Sequence, residues 1–488
     1  MMRRLLVSLF SLVLIAALQT PARAQRQGSN QSSLPDLKSA EALGEELYEN
    51  TGATGMVLVV VRGNQVFFRG YGETTRHSNV TPDANSVVRL CSLTKIFTTD
   101  LLAKLVADNT VKLDDPLSRW APMNGVVPSL GRPITLKDLA THTAGLSREI
   151  GTAPRGAPHF TYPDQRTRWI WLAKQKLTIV PGTESVYSNV GLDFLADALS
   201  QAAHKPYATL LHERTLVPLR MWQTTLYPNA DQCARLMQGS GREELCTPTF
   251  QTAGAAGLYS TPADMANWLK YLLGTGAPKF PSQPSAAQGV YVDPVSLKLQ
   301  YGLDHAGKVS GIGLGWMHLG AESDPAHIVE KTGGGAGYTT YIALAPARHT
   351  GLFVTMTEGN GIWTVNLFKA ANNVLLKLAG LPAPPDEPFH PHHRANTAGR
   401  KSGAKAAARA GRSAAPRAGQ KSAAKNGHAA SRKAAPKSGR KAKSKAGARS
   451  APKAGVRSTP KAGAKATRKG GVKSTPKASV KAAHKHKK

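Results

Sequence analysis

The stretch Arg89-Leu90-Cys91-Ser92-Leu93-Thr94-Lys95-Ile96-Phe97 decides how the rest of the chain is read. It sets a serine and a lysine three residues apart where Leu93, Ile96, Phe97, Leu101, Leu102, Leu105 and Val106 begin to recur at helical spacing. That spacing predicts an amphipathic helix with one buried apolar stripe. One helical turn separates Ser92 from Lys95, so their side chains share a face and can touch. A serine hydroxyl is inert at neutral pH until a neighbour takes its proton. The helix start adds free N–H groups and a partial positive charge that favour developing negative charge. Cys91 reads as an inert buried thiol beside this pair, not as a second nucleophile. Ser-x-x-Lys alone is a chance-level spacing, and its weight depends on partners elsewhere.

Upstream, residues 56–71 read as a β-hairpin. Met56-Val57-Leu58-Val59-Val60-Val61 is a β-branched run, Arg62-Gly63-Asn64-Gln65 a turn, and Val66-Phe67-Phe68 the return. Six consecutive apolar residues suggest a strand covered on both faces. Residues 40–48 suit a first helix. Downstream, the pattern is mostly helical and loop-rich to about residue 300. Thr135 caps a short helix over 136–141, residues 165–176 and 192–203 have helical periodicity, and Thr261-Pro262-Ala263-Asp264 is a helix start. Met265, Trp268, Leu269 and Leu272 would be the buried face of that last helix. His142 reads as a buried, hydrogen-bonded structural histidine. From about residue 311 short β-rich segments return: Gly313-Leu314-Gly315-Trp316, Ile328-Val329-Glu330-Lys331, 338–344 and 352–356, with a closing helix over 364–378. Strands at both ends of a helical middle predict an α+β domain over residues 25–385. Its α/β part would come from about 40–100 and 300–380, with a mainly helical part inserted at about 101–299.

The ends of the 488-residue chain differ in kind from this middle. Arg3 and Arg4, an apolar run over 5–18 and Ala22-Arg23-Ala24 make residues 1–24 an expected signal peptide, too short for a comfortable membrane span. The chain is therefore expected to be exported to the periplasm; the competing reading is an uncleaved N-terminal anchor. The net charge of +33 misleads as an average, because 28 Lys and Arg and no Asp or Glu lie between Arg400 and Lys488. The remainder holds 35 basic and 30 acidic residues, a net +5. Residues 386–488 form a Lys/Ala/Pro-rich tail expected to be disordered, with Val456-Arg457-Ser458-Thr459-Pro460-Lys461-Ala462 recurring as Val472-Lys473-Ser474-Thr475-Pro476-Lys477-Ala478. Behind a signal peptide, an anionic membrane or wall polymer suits such a tail better than nucleic acid, and a peripheral inner-membrane position would follow. His390, His392 and His393 stand among prolines that fix no geometry, so no metal is expected there, and no cofactor elsewhere. Cys233 and Cys246 are expected to form a disulfide under oxidising conditions.

Two motifs supply Ser92 with partners. In Tyr187-Ser188-Asn189, a tyrosine near a lysine ammonium can act as a base, and an asparagine amide can bond both Lys95 and a substrate amide. In Lys331-Thr332-Gly333, read at the end of a strand before Gly334-Gly335, a lysine and a hydroxyl can hold a substrate carboxylate while the glycines let a substrate backbone pair with the strand edge. Ser92-x-x-Lys95, Tyr187-x-Asn189 and Lys331-Thr332-Gly333, in this order, resemble the penicillin-recognising serine hydrolases, the group of class C β-lactamases and DD-peptidases. Ile134-Thr135-Leu136-Lys137-Asp138-Leu139-Ala140-Thr141-His142-Thr143-Ala144-Gly145-Leu146, Gly257-Leu258-Tyr259-Ser260-Thr261-Pro262 and Gly313-Leu314-Gly315-Trp316 extend the resemblance over about residues 40–380. Val87-Val88-Arg89, Asp231-Gln232-Cys233 and Lys331-Thr332-Gly333-Gly334-Gly335 are most similar to its AmpH-type D-alanyl-D-alanine carboxypeptidase/endopeptidase branch, which ordinarily lacks such a tail. The class A pattern does not fit, because no Ser-Asp-Asn motif is present.

The resemblance implies an antiparallel sheet flanked by helices and a role for each position. Ser92 would be acylated, Lys95 would accept its proton, and Tyr187 would serve as base and acid for leaving group and water. Asn189 would orient Lys95 and the substrate amide, while Lys331, Thr332 and Gly333 would bind substrate. The backbone N–H groups of Ser92 and Gly334 would form the oxyanion hole. The implied activity is a DD-peptidase on peptidoglycan stem peptides that also binds β-lactams. The alternatives are a class C-like β-lactamase or small-ester hydrolase on the same site, and a non-catalytic penicillin-binding module.

Overall fold

The apolar run at residues 56–61 forms the middle of strand β1 (Gly55–Arg62), and all six residues are fully buried. Successive strand side chains point to opposite faces. Val57, Val59 and Val61 therefore enter one core, while Met56, Leu58 and Val60 enter another. The strand is covered on both sides, as its composition predicts. The computed structural model describes residues 34–122, 125–238, 245–275, 284–358 and 366–384. The expected signal peptide (1–24), the basic tail (386–488) and its histidines lie outside the described residues.

After a turn, β2 (Gln65–Gly72) pairs back on β1. The later strands are β3 (Val309–Ile312), β4 (Met317–Leu319), β5 (Ile328–Gly335), β6 (Tyr338–Ala345) and β7 (Thr350–Thr357). They join into one seven-stranded sheet of order β2-β1-β7-β6-β5-β4-β3 in which every neighbouring pair is antiparallel. The β1–β7 pairing, with Val59 opposite Phe353, stitches the early part of the chain to the late part. Helices α1 (Ala40–Glu49) and, near the end, Leu367–Leu378 cover one sheet face. The other face carries α2 (Thr94–Ala107), α3 (Asn189–Ala203) and α4 (Pro262–Leu272) in the larger core. Met265, Trp268, Leu269 and Leu272 of α4 are buried there as expected.

Four readings change. Helix α2 is not amphipathic: every residue from Thr94 to Leu105 is buried, polar ones included. Its polar side is closed by partners, with Lys104 Nζ 2.6 Å from Asp100 Oδ2 and the Tyr271 hydroxyl donating to Asp100 Oδ1 at 2.8 Å. Gly313-Leu314-Gly315-Trp316 is the turn between β3 and β4, not a strand, because Gly315 adopts φ +75° and Gly313 N–H bonds Trp316 O at 2.8 Å. Lys331-Thr332-Gly333 lies inside β5, which continues to Gly335. Helix α3 begins at Asn189, three residues earlier than its apolar period suggests, because the Ser188 hydroxyl caps it by accepting from Gly191 N.

Candidate active site

Ser92 sits in a tight turn, Cys91–Leu93, that leads directly into α2. Cys91 adopts the left-handed conformation at φ +49°. For a side-chain-bearing residue this costs on the order of 1 kcal/mol and persists only where surroundings enforce it. They do so from two sides. Leu90 N–H donates to Leu258 O at 2.9 Å and Leu258 N–H to Thr94 Oγ1 at 3.1 Å. On the sheet side, Thr340 of β6 donates to Leu90 O at 3.1 Å, and the Cys91 thiol reaches Gly335 O at 3.4 Å. Burial pushes that thiol up to about 12, so it is inert as expected.

Lys95 stands one turn along α2 and is fully buried. Its ammonium has three partners: Ser92 Oγ at 3.1 Å, Asn189 Oδ1 at 2.6 Å and Ala255 O at 2.8 Å. Burial lowers its pKa below the lysine range, and the nearby carboxylates of Asp193 and Glu149 oppose that. Tyr187 follows the short strand Ser185–Val186, which pairs with Gln300–Tyr301 and fixes its backbone. Its hydroxyl donates to Ser92 Oγ at 2.7 Å. Three cations lie against its ring: Arg148 Cζ at 4.7 Å, Lys95 Nζ at 4.9 Å and Lys331 Nζ at 5.2 Å from the centroid.

Asn189, the first residue of α3, divides its amide between two partners: Oδ1 accepts from Lys95 and Nδ2 donates to the Glu149 carboxylate. His142 is buried under Tyr187, its ring centroid 4.6 Å away, and Nδ1 accepts from Ser188 N–H at 3.2 Å. Burial, then the charges of Lys95, Lys331 and Arg148, hold it well below the histidine range, which keeps it neutral and structural.

Strand β5 brings the third motif alongside. Lys331 is buried, its pKa lowered by that burial, and Nζ donates to Thr332 O at 3.0 Å. Thr332 is half-buried beside it. Gly333 is required by close packing: a Cβ there would lie 2.2 Å from Thr340 Oγ1, 2.9 Å from Leu93 Cδ1 and 3.1 Å from Leu90 O. Gly334 and Gly335 are exposed. Pairing of β4 with β5 stops at Glu330, leaving the edge of Lys331–Gly335 beyond the reach of β4.

Thus Ser92, Lys95, Tyr187 and Asn189 form one hydrogen-bonded cluster, with Lys331 against the Tyr187 ring. Arg148, Glu149, Asp193 and the Ala255 carbonyl went unnoticed in the sequence. Only Asp193 left a signal there, standing four residues after Asn189 on the same helix. Away from the cluster, Cys233 and Cys246 are joined by a disulfide, and Arg89 Nη2 donates to Leu245 O beside it at 2.7 Å.

Comparison with known proteins adds relationships of sequence and fold. The family model described as Beta-lactamase matches residues 40–366. The D-alanyl-D-alanine-carboxypeptidase/endopeptidase AmpH of Escherichia coli (strain K12) is 40% identical over 376 residues, covering 76% of this chain and 96% of the relative. Among solved structures, a Beta-lactamase/D-alanine Carboxypeptidase from Yersinia pestis, complexed with citrate, is 40% identical with a TM-score of 0.66, over 70% of this chain and 99% of that one. A class C beta lactamase from Rhodobacter sphaeroides, 20% identical, has a TM-score of 0.56 over 70% of this chain and 99% of its own, a likeness of fold.

Proposed function

The chain belongs to the beta-lactamase family of serine hydrolases, and on that premise we propose that it is a periplasmic DD-peptidase. It would act as a D-alanyl-D-alanine carboxypeptidase/endopeptidase on peptidoglycan stem peptides, through an acyl-enzyme on Ser92. The observation that carries this reading is the position of Ser92 Oγ between Lys95 Nζ (3.1 Å) and the Tyr187 hydroxyl (2.7 Å). Similarity to a carboxypeptidase/endopeptidase over nearly that relative's whole length supports the substrate class.

Proton counting assigns the steps. A lysine ammonium has three donors and no acceptor, and Lys95 has three acceptors around it. Two of them, Asn189 Oδ1 and Ala255 O, only accept. Neutral Lys95 spends its two N–H bonds on these and turns its lone pair to Ser92. Burial, by lowering its pKa, favours that neutral form. Ser92 Oγ then attacks the carbonyl carbon of the penultimate D-Ala as its proton passes to Lys95. Negative charge on the carbonyl oxygen falls to the N–H groups of Ser92 and Gly334, a stabilisation usually worth several kcal/mol. Tyr187 hands its proton to the departing amine and is recharged from Lys95. Water later attacks the ester by the reverse relay, which returns the proton to Ser92.

Lys331 and Thr332 would take the substrate's terminal carboxylate, and the edge of β5 its backbone. The same acylation serves β-lactams, so the test pairs two substrates. Release of D-Ala from a muropeptide, with a penicillin adduct on Ser92 in the mass spectrum, is the expected result. Nitrocefin turnover at lactamase-like rates without D-Ala release would refute the peptidase assignment. The basic tail would tether the enzyme to an anionic membrane or wall polymer. Deleting residues 399–488 should spare activity on soluble substrate and weaken salt-sensitive binding to sacculi; unchanged low-salt binding would count against it.

A further inference from the structure

The two oxygens that aim Lys95 are held differently. Asn189 is fixed by the start of α3, whereas Ala255 lies in a turn after the Phe250–Thr252 helical turn and contributes only its backbone. That turn is pinned from beneath by a residue the catalytic scheme does not use. Asp193, on α3 and 2% exposed, accepts from both Gly254 N–H and Ala255 N–H at 3.1 Å through the same oxygen, Oδ1. Thr98 of α2 holds the other side of the same peptide, donating to Gly254 O at 2.8 Å. Gly254 also lies hard against α3, since a Cβ there would stand 2.1 Å from Leu192 O. The path from Asp193 to Lys95 is therefore one residue of backbone, Ala255, bonded at its N–H to the carboxylate and at its carbonyl to the ammonium.

We propose that Asp193 is a positioning residue for Lys95, holding the Ala255 carbonyl where it fixes one Lys95 N–H and so aims the lone pair at Ser92. The proposal rests on the reading of Ser92 as acylated through Lys95. It has a charge component as well. Arg168, bound bidentately by Asp197 with both contacts at 2.7 Å, and then Lys95 favour the Asp193 carboxylate against the burial that pushes it up to about 7. Arg148, Glu149, Cys91, Tyr187, Lys331 and neutral His142 are the other ionisable groups around Lys95. Of the carboxylates acting on Lys95, Asp193 has the larger effect, ahead of Glu149, and it favours the ammonium.

The test follows acylation of the full chain by a fluorescent penicillin, with the rate measured against pH and the adduct located by mass spectrometry. Asp193→Ala removes both the acceptor and the charge, and should lower the acylation rate at least about ten-fold at every pH, since misplacing a catalytic group by a fraction of an ångström is enough. Asp193→Asn keeps the acceptor and removes the charge. It should restore most of the plateau rate while moving the acid limb to lower pH, by about 0.5 or more. A purely structural carboxylate would leave that limb where it was, so Asp193→Asn decides alone should Asp193→Ala not fold. A labelled wild type with both variants matching it in rate and limb overturns the inference. A wild type that forms no Ser92 adduct overturns the acyl-enzyme reading itself, and this one with it.

Discussion

Replacing Gly333 with alanine tests whether close approach of β5 to the Ser92 turn is what places the nucleophile. The added Cβ would meet Thr340 Oγ1 at 2.2 Å, Leu93 Cδ1 at 2.9 Å and Leu90 O at 3.1 Å. Relief to ordinary contact requires Thr340 to turn away or the strand to retreat by about 1 Å, and overpacking of this kind costs about 1–3 kcal/mol. If Thr340 turns, its 3.1 Å hydrogen bond to Leu90 O is lost in a buried setting, a further cost of about 1–3 kcal/mol. Together these give about 2–6 kcal/mol, with the strain delivered to the turn that carries Ser92. A displacement near 1 Å at that turn costs about 10²-fold in rate. Thermal unfolding and penicillin acylation of Gly333→Ala should therefore both fall. Gly334→Ala is the control for stability, because the nearest heavy atom to its Cβ is Tyr338 O at 3.7 Å. Adding Thr340→Ala to Gly333→Ala removes the worst contact, so the pair should destabilise by less than the sum of the single changes. If Gly333→Ala melted and acylated like wild type, packing would not be what demands glycine here.

Lys95→Arg keeps the positive charge but cannot surrender it, so acylation should fall about 10³-fold, within the range of general-base contributions, as read by penicillin labelling. Retention of more than a tenth of the rate would move the base to Tyr187. Glu330, fully buried on β5, has an oxygen without a hydrogen-bond partner among the described residues. Burial pushes its carboxyl to about 8, with Lys331 opposing. The folded state thus keeps a proton that the unfolded chain gives up near the ordinary glutamate value. Stability should be full below that value and decline as pH rises towards 8, by up to about 5 kcal/mol. Glu330→Gln should abolish this decline, so its advantage in Tm over wild type should grow between about pH 4.5 and 8. A constant difference across that range would refute it.

The meeting of Ser92, Lys95, Tyr187 and Asn189 was more legible in the sequence than the packing that positions them. Ser92 and Lys95 share a helical face by spacing alone, and Met56–Val61 announces a doubly covered strand by composition. Helix α2 misled because Thr98, Asp100 and Lys104 resemble a solvated face until Thr215, Tyr207, Tyr271 and Gly254 arrive from distant segments to satisfy them. Periodicity reports which residues are apolar, and a buried face built from paired polar groups has no such period. The start of α3 was misplaced for a related reason, since its first residue is set by a capping hydroxyl. Gly333 could be read as permissive; its necessity comes from packing against Thr340, Leu93 and Leu90, of which Leu90 and Thr340 are bonded across 250 residues of sequence.

The cations around the Tyr187 phenol share one buried setting. Lys95 and Lys331 are both buried, and Arg148 lies with them against the Tyr187 ring. Burial penalises each ammonium, and like charges gathered in a low-dielectric setting repel further. Both lysines are accordingly pulled below the lysine range. For Lys95 in its proposed role that shift is useful, because a base must be neutral to accept a proton. For Lys331 it is a cost, offset when an anion arrives: a carboxylate beside Lys331 restores the opposite charge that burial denies it. Binding of a carboxylate-bearing substrate, as proposed, would therefore relieve repulsion around Lys331. The relief would be local to Lys331, while Lys95 stays tied to Asn189 and Ala255.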